Sequence, residues 1–356
     1  MGIASKEKRR SGLELLRIIA MFLIVFGHFC GQSDVMRFVD PHSATAVIVA
    51  ILGNASRVSV NLFLIVAVWF MVGRDFKAER LIKTWVTVFL WGGVSTIVAG
   101  LLGAELGIKA IFQCFLPILG RQLWFASAYM ILYLCTPFLN MILKWERKQL
   151  RTFLCILFLF CSLIPTITDF NETFADNELW FIFVFIFVGY IKTYYLGSIG
   201  KHYIMDGLLG VILYLMLVLA KYGAEISDVR IINTVANLAN DYLVNFKSIP
   251  NFICALLIFS FFNAIDFKSK IVNDLAKGSF PVYIVHQTKV LYPILWTWIL
   301  NESCIAGGAY SVLKSLIIIA AFYLIITFFE NIRSKNRFFY KTHLYSVMEK
   351  KLMGIF

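Results

Sequence analysis

The sequence is poor in charge and has no long polar segment. Only 15% of its 356 residues are charged, 60% are hydrophobic, and its mean hydropathy is +0.79. A water-soluble domain of this size does not have such a composition. No loop between the apolar runs is long enough to hold a second folded unit. We therefore predict one membrane domain over residues 1–356, with a helical bundle over 12–329 and a basic cytoplasmic tail over 330–356.

Three further absences from the sequence argue against particular kinds of site and function. The seven cysteines form no Cys-x-x-Cys pair and the five histidines are scattered, so we expect neither a disulfide framework nor a metal site. The chain has no glycine-rich phosphate loop, which leaves nucleotide hydrolysis without support. It also has no internal repeat, which makes a transporter built from inverted repeats a less favoured interpretation.

Apolar runs of 16–22 residues, separated by short polar loops, fill the chain instead. This pattern is typical of a polytopic membrane protein. The predicted fold class is all-α, a polytopic transmembrane helix bundle of about ten spans with both termini cytoplasmic. The stretch 44–52 is apolar but too short to cross, so we expect it at the interface or packed on the bundle. The predicted spans are 12–31, 56–73, 84–103, 123–143, 152–168, 179–196, 204–221, 249–265, 279–300 and 310–329.

The net charge of +12 is explained by topology. With both termini inside, 23 of the 33 Lys and Arg residues fall on cytoplasmic segments, as the positive-inside rule requires. We therefore expect membrane lipid as a partner, and no nucleic acid. The seven residues placed outside are Arg37, Arg57, Lys109, Arg121, Lys221, Arg230 and Lys247.

The first apolar run contains two ionisable residues, Arg17 and His28. They are eleven positions apart, which places them on one helix face and about 16 Å apart along the axis. Because ionisable groups are costly in lipid, this face is expected to point into a polar interior. In a functional interpretation, Arg17 contacts an anionic ligand and His28 transfers a proton. In a structural one, Arg17 reaches the inner surface and pairs with Glu14, while His28 bonds between helices.

Five fragments along the chain form an ordered set of motifs. The first, LELLRIIAMFLIVFGH, has a basic residue and a histidine separated by ten positions. The others are RVSVNLFLIVAVWFMVGR, ERLIKTW, LWFASAYMILYLCTPFLN and FPVYIVHQ. In this order they resemble acyltransferase family 3, integral-membrane enzymes that O-acetylate bacterial surface polysaccharides and related glycans. The resemblance covers nearly the whole chain. Two departures are Ala67-Val68 in place of Ser-Gly, and Lys83 in place of the second arginine of R-x-x-R.

The resemblance implies an O-acyltransferase of the bacterial cytoplasmic membrane. The donor it implies is an acyl-coenzyme A, with acetyl as the acyl group, and the acceptor is a glycan hydroxyl. On this basis Arg17 and His28 are the predicted catalytic residues, with His28 as general base or acyl carrier. Arg74, Arg80 and Lys83 are predicted to bind the coenzyme A phosphates. Considered without the resemblance, these three residues read as ordinary inside-positive charge.

Three further residues are predicted to bind substrate. Tyr283 and His286, followed by Lys289, could line the same cavity as Arg17, although a hydrogen bond between helices is the favoured role for His286. Trp124 begins the fourth span, where an aromatic belt explains it better than stacking on an acceptor sugar. Two other functions stay open: a transporter or flippase for a sugar or lipid-linked glycan, and a non-enzymatic membrane sensor.

Overall fold

The computed structural model describes most of the chain, and each regular element in that part is helical. The described residues are 10–32, 39–108, 112, 123–164, 177–227, 229, 231–232, 244–299 and 309–335. Several predicted positions lie outside them, namely Arg37, Lys109, Arg121, Arg230 and the tail beyond residue 335.

Eleven α-helices follow one another in the described residues. They are α1 (Ser11–Gln32), α2 (Ala44–Met71), α3 (Ala78–Leu101), α4 (Trp124–Ile142), α5 (Arg147–Phe158), α6 (Asn177–Tyr194), α7 (Tyr203–Glu225), α8 (Ile249–Ala264), α9 (Lys270–Leu275), α10 (Ser279–Gln287) and α11 (Ala309–Lys335). A π turn, Leu159–Leu163, extends α5, and another, Ile294–Ile299, follows α10.

Six of these helices are long and apolar enough to cross a membrane. They are α1, α2, α3, α4, α7 and, from Val312, α11. The 16-residue α8 is apolar but shorter. The protein is therefore a multi-pass helical membrane protein. The count of about ten spans and the cytoplasmic position of the termini remain predictions.

Helix ends follow ordinary capping chemistry. Ser43, Ser248 and Ser269 each precede a helix, and each hydroxyl accepts a hydrogen bond from the backbone N–H three residues later. At the other end of α2, Gly73 has a φ of +74°. Glycine adopts this left-handed conformation at little cost, which allows the chain to leave the helix sharply.

Helices α1 and α2 pack closely at a glycine. A Cβ atom on Gly27 would lie 2.3 Å from the Ser56 side chain and 2.7 Å from the Gly53 carbonyl oxygen. Small residues at such a crossing let two backbones approach closely within a membrane. The position of α1, and with it that of Arg17 and His28, is thereby fixed against α2.

Three predicted boundaries are wrong. Residues 44–52 do not form a separate interfacial segment but are the first turns of α2. The single span over 279–300 is divided, because α10 ends at Gln287 and a π turn begins at Ile294. Helix α11 continues to Lys335, past the predicted end of the helical bundle at residue 329. There the buried Glu330 accepts hydrogen bonds from Trp91 Nε1 (2.9 Å) and Arg333 (2.7 Å).

Candidate active site

Arg17 lies in the first half of α1 and has a fixed partner. Its Nη1 donates to Glu14 Oε2 at 3.0 Å, one turn earlier, and the Glu14 side chain is only 7% exposed. The guanidinium also lies 5.6 Å from the centre of the Phe63 ring. A buried carboxylate requires a partner, so the ion pair and the ring together hold Arg17 in place. The pairing with Glu14 belonged to the structural interpretation of Arg17 that the sequence left open beside the functional one.

Arg17 and Arg80 line one hollow of about 300 Å³. That volume is at the lower end of the range for ligand pockets. The rest of the lining is mostly aromatic and apolar, with three hydroxyl groups. It comprises Phe63, Val66, Ala67, Phe70, Met71, Thr84, Phe125, Tyr129, Tyr133 and Phe280. Two cations from separate helices therefore meet in a largely apolar pocket, an arrangement suited to a ligand with a charged end and an apolar body.

The other two members of the predicted phosphate group lie outside this lining. The exposed Lys83 forms an ion pair with Glu79, one turn earlier on α3. The Arg74 guanidinium lies 5.8 Å from the centre of the Phe70 ring, which itself faces the hollow. The structure thus places Arg80 in the same lining as Arg17. Arg74 lies in the loop before α3 and Lys83 lies on α3, both outside this lining.

Two residues of α4 hold the loop between α2 and α3, and sequence reasoning assigned them no role. The Tyr133 hydroxyl accepts from the Lys77 N–H and donates to the Lys77 carbonyl oxygen, both at 3.1 Å. Asn140 accepts from the Gly73 N–H and donates to the Arg74 carbonyl oxygen, both at 3.0 Å. These four bonds fix the loop that precedes Arg80. The only sequence signal for a role of these residues was that Tyr133 belongs to one of the five motifs.

His28 and His286 form a close pair between α1 and α10. His286 Nε2 lies 3.3 Å from His28 Nδ1, and the ring centres are 5.1 Å apart. His286 Nδ1 is 2.7 Å from the Val282 carbonyl oxygen, and His28 Nδ1 is 2.8 Å from that of Ile24. Carbonyl oxygens only accept, so we assign the proton to Nδ1 in both neutral rings. The Nε2 atom of His28 then carries a lone pair and can act as a base.

Trp124 begins α4, and Tyr283 of α10 lies against its first turn. The buried Tyr283 hydroxyl accepts from the Phe125 backbone N–H at 3.1 Å, so it satisfies an otherwise unpaired donor of the first helical turn. Trp124 is half-buried, with its ring centre 5.9 Å from that of Phe246 and 6.3 Å from that of Phe181. Tyr283 thus positions α4, while Trp124 is part of an aromatic cluster.

Aromatic rings lie between the hollow and the histidine pair. The Phe125 ring lines the hollow and contacts Tyr283 (5.7 Å between ring centres), which in turn contacts His286 (5.9 Å). We call Phe125 and Tyr283 the aromatic partition. The lining of the hollow includes Arg17 but not His28, Tyr283 or His286, and His286 instead makes the hydrogen bond between helices that was the favoured role for it. Lys289 lines a different depression, together with Glu105.

The described residues thus define a multi-pass membrane protein with an arginine-lined hollow and a histidine pair behind an aromatic partition. Within them, no group of three or more His, Cys, Asp or Glu side chains could hold a metal ion. A family model described as an acyltransferase domain matches residues 10–341. The chain belongs to acyltransferase family 3, as its five motifs indicated. Comparison with curated proteins and with solved structures gave no match.

Proposed function

We propose that this acyltransferase moves an acetyl group from cytoplasmic acetyl-coenzyme A to a hydroxyl of a cell-surface or lipid-linked glycan, in a bacterial cytoplasmic membrane. The observation that carries the proposal is the histidine pair, which supplies an unprotonated Nε2 on the same helix as Arg17. Membership of the family supports the reaction class. The distribution of Lys and Arg supports the orientation, with the hollow towards the cytoplasm.

His28 acts as the general base. Its Nε2 removes the proton from the acceptor hydroxyl, and the hydroxyl oxygen attacks the carbonyl carbon of the thioester. The carbon–sulfur bond breaks, and the proton held on Nε2 passes to the departing thiolate. The products are an O-acetyl ester and free coenzyme A, so atoms and charge balance. While His28 is protonated, its Nδ1–H still donates to Ile24 and to His286 Nε2, which stabilises the cation.

Arg17 and Arg80 hold the donor in the hollow. Arginine binds phosphate through paired charge-assisted hydrogen bonds, and Arg80 is exposed on the predicted cytoplasmic side. Arg74 and Lys83 add positive charge around the entrance. Arg17 lies deeper in the hollow and holds the donor there, because about 16 Å along α1 separates it from His28. The aromatic lining suits the apolar parts of the pantetheine arm.

The acceptor approaches the histidine pair from the outer side. Trp124 is the ring that we propose contacts the sugar, since it is partly exposed at the predicted outer end of α4. Tyr283 and His286 act as positioning residues, because their polar atoms already bond to Phe125, Val282 and His28.

The test is transfer of label from isotopic acetyl-coenzyme A into glycan, followed by mass spectrometry of surface glycans from cells with and without the gene. Cells that carry the wild-type protein should contain O-acetylated glycan, and cells with His28→Ala should not. His202→Ala is the matched control, because His202 is exposed outside the site. Wild-type acetylation by a stably inserted His28→Ala protein would refute the role of His28. Unlabelled glycan from wild-type cells would refute the function.

A further inference from the structure

A second polar hollow lies where α1, α2 and α7 meet. Its volume is about 250 Å³, and its lining includes none of the residues assigned above to donor, base or acceptor. By the predicted topology, this end of the three helices faces outwards. The hollow is therefore on the opposite side of the membrane from the arginine-lined hollow.

Charged side chains line this outer hollow. Arg57 and Lys221 bring two positive charges and Glu225 brings one negative charge. Lys221 Nζ donates to Asn54 Oδ1 at 3.1 Å and lies 3.6 Å from Glu225 Oε1, with its side chain only 11% exposed. These two partners offset the cost of burying the ammonium and hold it in a fixed orientation. The surplus of positive charge favours an anionic ligand.

Two glycines bring the hollow close to the catalytic base. Gly27 and Gly31 of α1 line it, and they lie immediately before His28 and one turn beyond it. Gly31 is therefore about 5 Å along the chain axis from His28. A Cβ atom on Gly31 would meet no atom of the described residues within 4 Å, so among them the space beside it is open. A ligand in the hollow would sit against the helix that carries the base.

We propose that this outer hollow binds the acceptor through a negatively charged group on a sugar, either a carboxylate or a phosphate. The inference rests on the proposed function and names the chemistry of its acceptor. Arg57 and Lys221 pair with the anion, and Asn54 bonds to neighbouring hydroxyls. A sugar held in this way extends its next unit towards His28. The acidic unit thus selects the acceptor, and a hydroxyl beside it receives the acetyl group.

The experiment measures thermal unfolding of the purified full-length protein in detergent, with glucuronate, glucose 1-phosphate or glucose at millimolar concentration. We expect the two anionic sugars to raise the midpoint by about 2–4 °C and glucose to raise it by less. If only glucuronate stabilises the protein, the ligand carries a carboxylate. If only glucose 1-phosphate stabilises it, the ligand carries a phosphate. An equal effect of glucose, or none from either anion, overturns the proposal.

Two variants locate the effect, and a third is the control. Arg57→Gln removes one charge, and Gly31→Leu fills the open space without changing charge, so each should abolish the shift. Gly223→Leu is the matched control, because its Cβ also meets no atom within 4 Å but it does not line the hollow. A shift that persists in both test variants overturns the proposal.

Acetyl-coenzyme A serves as the second probe on the same preparations. It should stabilise the wild type and all three variants equally, which also shows that the variants are folded. If acetyl-coenzyme A stabilises the protein but the anionic sugars do not, only the outer site is refuted. If acetyl-coenzyme A has no effect on the wild type, the proposed donor, and with it the proposed function, is refuted.

Discussion

By the proposed topology the site has an inner and an outer half, and the two differ in how they are built. The inner half is an open hollow whose cations, Arg17 and Arg80, are held by an ion pair and by a loop tied to α4. The outer half is a close pair of imidazoles, of which His286 is fully buried. Under the proposed function, donor recognition and the chemical step are thus carried by different parts of α1. A large donor requires an accessible pocket, whereas a base requires a fixed tautomer and little water.

The largest effect should come from the outer half. Replacement of His28 by Gln should lower the turnover number by on the order of a hundredfold to ten-thousandfold, because the general base is lost. Affinity for acetyl-coenzyme A, measured by calorimetry, should be unchanged, since the hollow is intact. A loss of donor affinity equal to the loss of turnover would contradict the separation of the two halves.

His286 should matter less than His28, and only for turnover. Replacement by Leu removes the second acceptor for the His28 Nδ1–H, which still donates to the Ile24 carbonyl oxygen, and should lower the turnover number about tenfold, with the KM for donor unchanged. Gln retains an acceptor oxygen at the right reach, so His286→Gln should recover part of the rate. Steady-state kinetics on the two variants makes the comparison; identical rates for Leu and Gln would indicate a role in packing alone.

In the inner half, Arg80 and Lys83 form a matched pair on one helix. Arg80→Gln should raise the KM for acetyl-coenzyme A roughly tenfold, because a charge-assisted hydrogen bond to phosphate is lost. Lys83→Gln should raise it less than about threefold, since Lys83 lies outside the lining and pairs with Glu79. The measurement is the KM at fixed acceptor concentration. A larger effect at Lys83 would show that the entrance, not the hollow, binds the phosphates.

Tyr133→Phe tests whether the loop positions Arg80. The substitution removes both bonds to Lys77 and should raise the KM for donor by about threefold, with the turnover number nearly constant. Thermal unfolding in detergent should begin at a lower temperature than in the wild type. An unchanged KM would mean that α3 holds Arg80 without help from the loop.

The smallest effect is expected at Asp274, in the short helix α9 outside the spans. Hydrogen bonds from Lys277 and Lys270 lower the pKa of Asp274 to about 2. Because the folded-state pKa is lowered, the ionised carboxylate stabilises the fold at pH values above the unfolded-state pKa near 4. This stabilisation is lost as the pH falls towards 2. Asp274→Asn should therefore destabilise by less than about 1 kcal/mol at pH 7, because the pair is partly exposed. The difference in stability between the wild type and the variant, measured by unfolding, should shrink from pH 7 to pH 3. A difference that grows as the pH falls would contradict the prediction.

Much of the fold and part of the site could be predicted from the sequence. Hydropathy located the long helices because lipid imposes both length and composition. The pairing of Arg17 with Glu14 followed from helical spacing, since both residues lie on one helix face. The five motifs indicated the family. These predictions share one property: each depends on residues near one another in the chain.

What could not be predicted depends on contacts between distant segments. His28 and His286 are 258 positions apart, and helical periodicity does not say which helices are neighbours. The boundary at 44–52 was misplaced because polar residues such as Asn54 and Arg57 interrupt the hydropathy of α2, although they face the outer hollow. The break after Gln287 had a local signal in Pro293, which hydropathy averaging conceals.

The aromatic partition has a consequence for the cell that holds this protein. A membrane enzyme with water-accessible recesses on both faces is at risk of becoming a leak for protons, which would dissipate the gradient that drives ATP synthesis. Phe125 and Tyr283 place their rings in contact between the hollow that Arg17 lines and His286, so by the proposed topology they separate the two sides of the site. The protein can then expose each recess to its own substrate while the bilayer stays electrically insulating.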